Sequence, residues 1–181
     1  NVLGGCQGTT GPASTAPDGR PWGGRFPYIT VRDQVVVEAR LADLLGIDRW
    51  ALVLGGSMGG MRALEWAVTS PARVERLLVL ASTPYATGDQ IAWCAGQLAA
   101  IRADPNYRDG DYYDAPPGTG PHAGLGVARR IAHATYRSQP ELNLRFGRRA
   151  QPGEQPLAGR GRYAGAQITR PSRLVPATGA S

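Results

Sequence analysis

Gly55-Gly56-Ser57-Met58-Gly59-Gly60 is the stretch of this chain whose residue types and spacing could do chemistry. It holds the pattern Gly-x-Ser-x-Gly at Gly55, Ser57 and Gly59, directly after an apolar run and directly before a helical pattern. Such a turn lifts a serine hydroxyl above the C-terminal edge of a sheet and holds the serine in strained backbone. The residues two before and two after must then be small, so that neighbouring chain does not collide. A helix opening straight after the serine brings its positive dipole end to developing negative charge. The expected roles are Ser57 as nucleophile and the Met58 backbone N–H as one oxyanion donor.

Other uses of a glycine-rich turn fit less well. A phosphate-cradling loop of the Walker type ends in Gly-Lys-Ser/Thr, and this chain contains no lysine. A dinucleotide fingerprint needs G-x-G-x-x-G, and reading from Gly56 its third position is Met58. A packing turn without chemistry stays open. A serine nucleophile also needs a base and an orienting acid, and His122 and His133 are the two histidines available. His122 falls in a Gly/Pro-rich loop and His133 inside a helical pattern; for each, a solvated or packed histidine is the better reading. The triad reads as incomplete.

The elements that must position Ser57 follow from hydrophobic periodicity. Apolar residues at helical spacing predict a helix over Asp33–Leu45, with Gly46 just past its end. Trp50–Leu54 predicts a strand buried on both faces, Met58–Val68 a helix stopped by Ser70-Pro71, and Val74–Ala81 a second buried strand. Asn1–Leu3 reads as the tail of another strand. Helix, strand, helix, strand with short connections is the rhythm of a parallel α/β sheet. Beyond Ser82 the rhythm changes to helices over Asp89–Ala103 (capped by Thr87), Gly126–Arg137 and Glu141–Gly147, with a polar loop over Asn106–Gly120. Helices without intervening strands suggest a cap laid over the sheet.

Composition bounds the remaining classes. The chain has 181 residues and a formal charge of +6. Residues 1–147 hold 14 Arg against 13 acidic residues, whereas residues 148–181 hold 6 Arg against one Glu. The basic character therefore belongs to a short tail, whose 5 Gly and 4 Pro in 34 residues predict poor order. Its arginines are not interleaved with aromatics, so no base-stacking platform is evident. No apolar run is long enough for a membrane span, no signal-peptide pattern opens the chain, and no Cys/His cluster has metal-ligand spacing. Two cysteines make no disulfide framework, and a reducing cytoplasm is the default.

The residues resemble a known family, the homoserine O-acetyltransferases, which are α/β-hydrolase-fold enzymes of methionine biosynthesis. The resemblance is carried by NVLGGCQGTTGP at Asn1–Pro12, WGGRFPYITVRDQV at Trp22–Val35 and LGGSMGGMRALEWA at Leu54–Ala67. DPNY and GDYY at Asp104–Tyr107 and Gly110–Tyr113, ARRIAHATYRS at Ala128–Ser138 and LRFGRR at Leu144–Arg149 extend it. It implies an α/β fold of the α/β-hydrolase type, here partial: a core over residues 1–83, a helical cap over 84–147 and a tail over 148–181. It also implies a two-step transfer, in which Ser57 takes acetyl from acetyl-CoA and the L-homoserine hydroxyl then attacks the acyl-enzyme. The family's substrate-binding arginine maps onto Arg129, with Arg130 one register away, and Tyr136 lies two helical turns further on. Acetyl-CoA is then a co-substrate rather than a bound cofactor, and the partners are small molecules, with a homodimer left open.

The departures matter too. The family's other oxyanion donor, its catalytic aspartate and histidine and the aspartate beside that histidine find no counterpart, and GAQITRPSRLVPATGAS at the end matches nothing in the family. The chain accordingly reads as a fragment that by itself is nearly inactive. Succinyl transfer, esterase chemistry, a non-catalytic fragment and an Arg-rich nucleic-acid-binding protein are the competing readings.

Overall fold

The computed structural model describes residues 1–5 and 7–145. Cys6, the end of the last expected helix and the expected tail from Arg148 lie outside the described residues. The elements run α1 (Val31–Leu44), β1 (Val53–Gly56), α2 (Met58–Thr69), β2 (Leu77–Leu80), α3 (Gly88–Arg102), α4 (His122–Thr135) and α5 (Gln139–Arg145), with short 3-10 turns between them. The chain divides into two compact units. One comprises Asn1–Ile91 with Tyr107–Gly120; the other comprises, among the described residues, Ala92–Asn106 and residues 121–145.

In the first unit, α1 begins two residues earlier than its apolar spacing predicts, because Thr30 and Asp33 form a capping box. The Asp33 N–H donates to Thr30 Oγ1 at 3.2 Å, and the Thr30 N–H donates to Asp33 Oδ2 at 2.8 Å. Gly46, at φ +68°, takes the left-handed turn after the helix, as expected. α1 packs on α2 through Val35, Ala42 and Trp66, with Trp50 edge-on to Trp66 at 6.4 Å. Trp66 Nε1 donates to Glu38 Oε2 at 2.9 Å, and Glu38 pairs with Arg62 on the same helix as Trp66. The buried indole thus finds an acceptor, which an apolar cluster alone would deny it.

β1 and β2 are parallel, with Val53 opposite Leu77 and Gly56 opposite Leu80. Both strands are shorter than their apolar runs; Trp50 and Val74 pair only as an isolated bridge. Asn1–Leu3 forms no strand: the Gly5 N–H turns back to the Val2 carbonyl at 3.0 Å. The glycines read as closing β1 are instead its second half. One sheet face turns Val53, Gly55 and Val79 toward α2. The other face carries Leu54, Leu78 and Leu80 at 57%, 42% and 49% exposure. The expectation of strands buried on both faces is therefore corrected: within the first unit helices cover one face only, and apolar side chains remain open on the other.

In the second unit, α4 starts at His122, four residues before the expected Gly126. The reason is a cap supplied from elsewhere in the chain. The buried Asp104 carboxylate accepts from the Gly124 N–H at 2.8 Å and the Asn106 N–H at 2.9 Å. It satisfies orphan donors of the first turn and sits at the positive end of the helix dipole. Gly124 lets α4 approach the preceding chain, since a Cβ there would lie 2.9 Å from Ile101 Cα and 3.0 Å from Asp104 Cβ.

These backbone N–H bonds hold the Asp104 carboxyl below the usual carboxylate range. A depressed acid stabilises the fold fully above its unfolded pKa and loses that contribution as pH falls through the folded one. The second unit is therefore expected to lose stability progressively below about pH 4. Asp104→Asn should flatten that dependence and lower the urea midpoint at pH 7, read by helical circular dichroism. A wild-type acid limb that persists unchanged in the variant would remove Asp104 from the account.

Candidate active site

Ser57 stands between the last residue of β1 and the first of α2, at φ 55° and ψ −126°. A left-handed φ is uncommon for a non-glycine residue, and strain of this kind persists only where surrounding structure enforces it. Enforcement here is visible. The Ser57 N–H donates to the Leu80 carbonyl at 3.0 Å, continuing the sheet ladder, while its own carbonyl accepts from the Gly60 N–H at 2.9 Å, opening α2. The serine is pinned by a strand on one side and a helix on the other. Its side chain is exposed, and among the described residues nothing is hydrogen-bonded to it.

Two glycines make the turn possible, and they are not the pair that the motif suggests. A Cβ on Gly55 would overlap the Gly59 carbonyl. A Cβ on Gly60 would lie 2.5 Å from Ser82 Cβ, 2.8 Å from Ser82 Oγ and 3.1 Å from Val79 Cγ1. Gly59 has nothing within 4 Å of that position. The expectation that the residue two after the serine must be small is corrected: α2 bends that position outward, and the steric demand falls on the next residue. Ser82 went unread in the sequence. It follows Ala81 at φ 47°, the second non-glycine residue of this region with a left-handed φ, and its buried Oγ has no partner among the described residues. Nothing in local periodicity announces it, because its role comes from contact with Gly60 across the sheet.

The Met58 N–H is the first donor of α2 and has no backbone acceptor among the described residues. Neither histidine belongs to the unit that carries Ser57. His122 opens α4, which corrects its placement in a loop; His133 lies inside α4 as expected. A cavity of about 660 Å³ lies in the first unit, lined by Leu41, Leu45, Trp50, Leu52 and Trp66 among others, and Ser57 is not part of it.

In the second unit, α4 buries Gly124, Ala128 and Ala132 as a stripe at four-residue spacing. Arg129 stands one residue on from that stripe, on the flank that also carries His133. Arg130 is about 200° round from Ala128 and projects away from the packed side. Both arginines are exposed, and neither takes part in an ion pair among the described residues. Tyr136, the residue just after α4, has 77% of its surface exposed. No cluster of His, Cys, Asp and Glu among the described residues could hold a metal ion.

The chain matches the family model described as the alpha/beta hydrolase fold over residues 1–170. It is 65% identical to the homoserine O-acetyltransferase of Thermobifida fusca (strain YX) over 164 residues, which are 91% of this chain and 43% of that protein. It is 63% identical to the homoserine O-acetyltransferase of Clavibacter michiganensis subsp. michiganensis, with 91% and 42% covered. The chain thus spans less than half the length of these curated relatives. Among solved structures, homoserine O-acetyltransferase from Bacillus anthracis superposes with a TM-score of 0.71 at 29% identity, covering 81% of this chain and 40% of that one. Esterase E22 superposes at 0.69 and 32% identity, covering 75% and 36%. The strained serine between a parallel strand and a helix has the geometry expected of such proteins, and the chain belongs to the α/β-hydrolase fold family.

Proposed function

We propose that this chain carries the nucleophile of a homoserine O-acetyltransferase. Ser57 Oγ attacks the acetyl-CoA thioester, the Met58 N–H stabilises the tetrahedral oxyanion, and coenzyme A leaves. The hydroxyl of L-homoserine then attacks the acyl-enzyme and departs as the acetyl ester, with Arg129 fixing the homoserine carboxylate by a charge-assisted fork. The observation that carries the reading is Ser57 at φ 55° on the β1–α2 turn, supported by relatives of that name at 65% and 63% identity. A cytoplasmic location belongs to the same proposal.

Acceptor use decides it. A chimera in which residues 1–145 replace the matching segment of the Thermobifida fusca relative is expected to convert labelled acetyl-CoA into O-acetyl-homoserine, and succinyl-CoA is expected to be a poor donor. In that chimera, Arg129→Ala should raise KM for L-homoserine by about 10- to 100-fold with a smaller change in kcat, the pattern of lost ground-state binding. Arg130→Ala should leave KM nearly unchanged, and the reverse pattern would move the role to Arg130. The likeness to esterase E22 favours a second reading, hydrolysis of acyl esters by the same serine. It predicts free acetate at the same rate with or without L-homoserine.

A further inference from the structure

Two non-glycine residues with a left-handed φ stand at the ends of neighbouring parallel strands: Ser57 at φ 55° after β1 and Ala81 at φ 47° after β2. The two ends are tied together. The Ser57 N–H donates to the Leu80 carbonyl at 3.0 Å, next to the last register pair, Gly56 with Leu80. The Ser57 carbonyl accepts from the Gly60 N–H at 2.9 Å. Gly60 in turn lies so close to Ser82 that a Cβ on it would come 2.5 Å from Ser82 Cβ and 2.8 Å from Ser82 Oγ. Leu80 and Ser82 thus both reach the turn that holds Ser57, with the left-handed Ala81 between them. The Ser82 hydroxyl is buried and has no partner among the described residues, a cost that alanine would avoid.

We propose that Ser82 is a positioning residue for Ser57. The end of β2 holds the strained turn through both backbone polar groups of the serine. The Leu80 carbonyl holds its N–H, and the Ser82 side chain seats Gly60, whose N–H holds its carbonyl. The inference rests on the reading of Ser57 as the nucleophile, and adds a residue from beyond the neighbouring strand that fixes its backbone. Strain of this kind persists only where surrounding structure over-determines it. With the Gly60 contact released, the first turn of α2 can relax toward an ordinary helix start, carrying Ser57 Oγ out of place. A misplacement of about 1 Å at a reacting atom costs about 100-fold in rate. No covalent step involves Ser82, and the seating is done by its Cβ as well as its hydroxyl.

Amide hydrogen exchange in the 181-residue chain reads the backbone directly. Ser82→Gly is expected to speed exchange at Ser57 and Gly60 by about tenfold, with Ala42 in the core of the same unit unchanged. Ser82→Ala, which keeps the Cβ, should leave all three near wild type. A side chain that served packing alone would speed the three amides together. In the chimera, Ser82→Val, whose added carbons press on Gly60, should lower kcat for acetyl transfer by about 10- to 100-fold with KM for L-homoserine and acetyl-CoA unchanged. Gly60→Ala should lower kcat in the same way. Gly60→Ala combined with Ser82→Gly should recover most of that loss, because the carbon added on α2 takes the space of the one removed after β2. Uniform exchange in Ser82→Gly, an unchanged kcat in Ser82→Val, or additive losses in the double variant overturns the proposal. A chimera that makes no O-acetyl-homoserine even with wild-type Ser82 sinks the acyl-transfer reading alone, since exchange in the 181-residue chain still decides whether Ser82 holds the turn.

Discussion

Ser57→Ala in the chimera is expected to lower acetyl transfer to L-homoserine by about four to six orders of magnitude and to abolish acetyl labelling of the protein. The magnitude follows from what the serine does. In the proposed mechanism it supplies the covalent intermediate, directly before Met58, the proposed oxyanion donor, at the start of α2. Without the hydroxyl only binding and oxyanion stabilisation remain. The same substitution in the isolated 181-residue chain is expected to change little, because the chain itself should turn over near background. Among the described residues, neither histidine lies in the unit that carries Ser57 and nothing is hydrogen-bonded to its side chain. Nucleophile and base act as a unit, so a serine without a base has almost nothing to lose. Transfer by the isolated chain at the chimera's rate, or labelling that survives Ser57→Ala, would refute this account.

Gly55→Ala is expected to destabilise the first unit by about 3–5 kcal/mol, whereas Gly59→Ala should be neutral or stabilising by up to about 1 kcal/mol. The contrast is diagnostic because both residues belong to the same short motif. At Gly55 the added carbon meets the Gly59 carbonyl, which is backbone and cannot step aside without unwinding the first turn of α2. At Gly59 the carbon enters open space on a helix, where alanine is the better residue. Gly60→Ala should fall between, since its neighbours are the Ser82 and Val79 side chains. Urea unfolding followed by fluorescence of Trp50 and Trp66 reads all three. Equal costs at Gly55 and Gly59 would show that the motif, rather than the packing, sets the glycines.

Much of this was legible in the sequence, and the reasons differ from residue to residue. The helices at Val31–Leu44 and Met58–Thr69 follow from apolar spacing, because burial against one partner imposes one period, whereas the apolar runs showed that two strands exist but not their bounds, since β1 runs on into Gly55 and Gly56. Thr87 was legible as a cap, since its partner Gln90 lies three residues away: the Gln90 N–H donates to Thr87 Oγ1 at 3.3 Å, and the Gln90 side chain accepts from the Thr87 N–H at 2.9 Å. The start of α4 was not legible, because its cap, Asp104, comes from 20 residues before Gly124. Ser57 was readable from spacing and setting. Ser82 and the demand for glycine at Gly60 were not, because each arises from contacts between elements that spacing along the chain does not encode.

The turn that strains Ser57 is built from residues 53–82: one strand, one helix, and the strand beside it with the Ser82 that follows. Contacts this local in sequence close early, since little loop entropy must be spent to make them. A polypeptide emerging from the ribosome can therefore complete the serine's geometry as soon as this segment clears, before a base from elsewhere in sequence is placed. The order of synthesis thus gives a built-in delay. The backbone at Ser57 is therefore expected to be shaped before the later parts of the chain are placed.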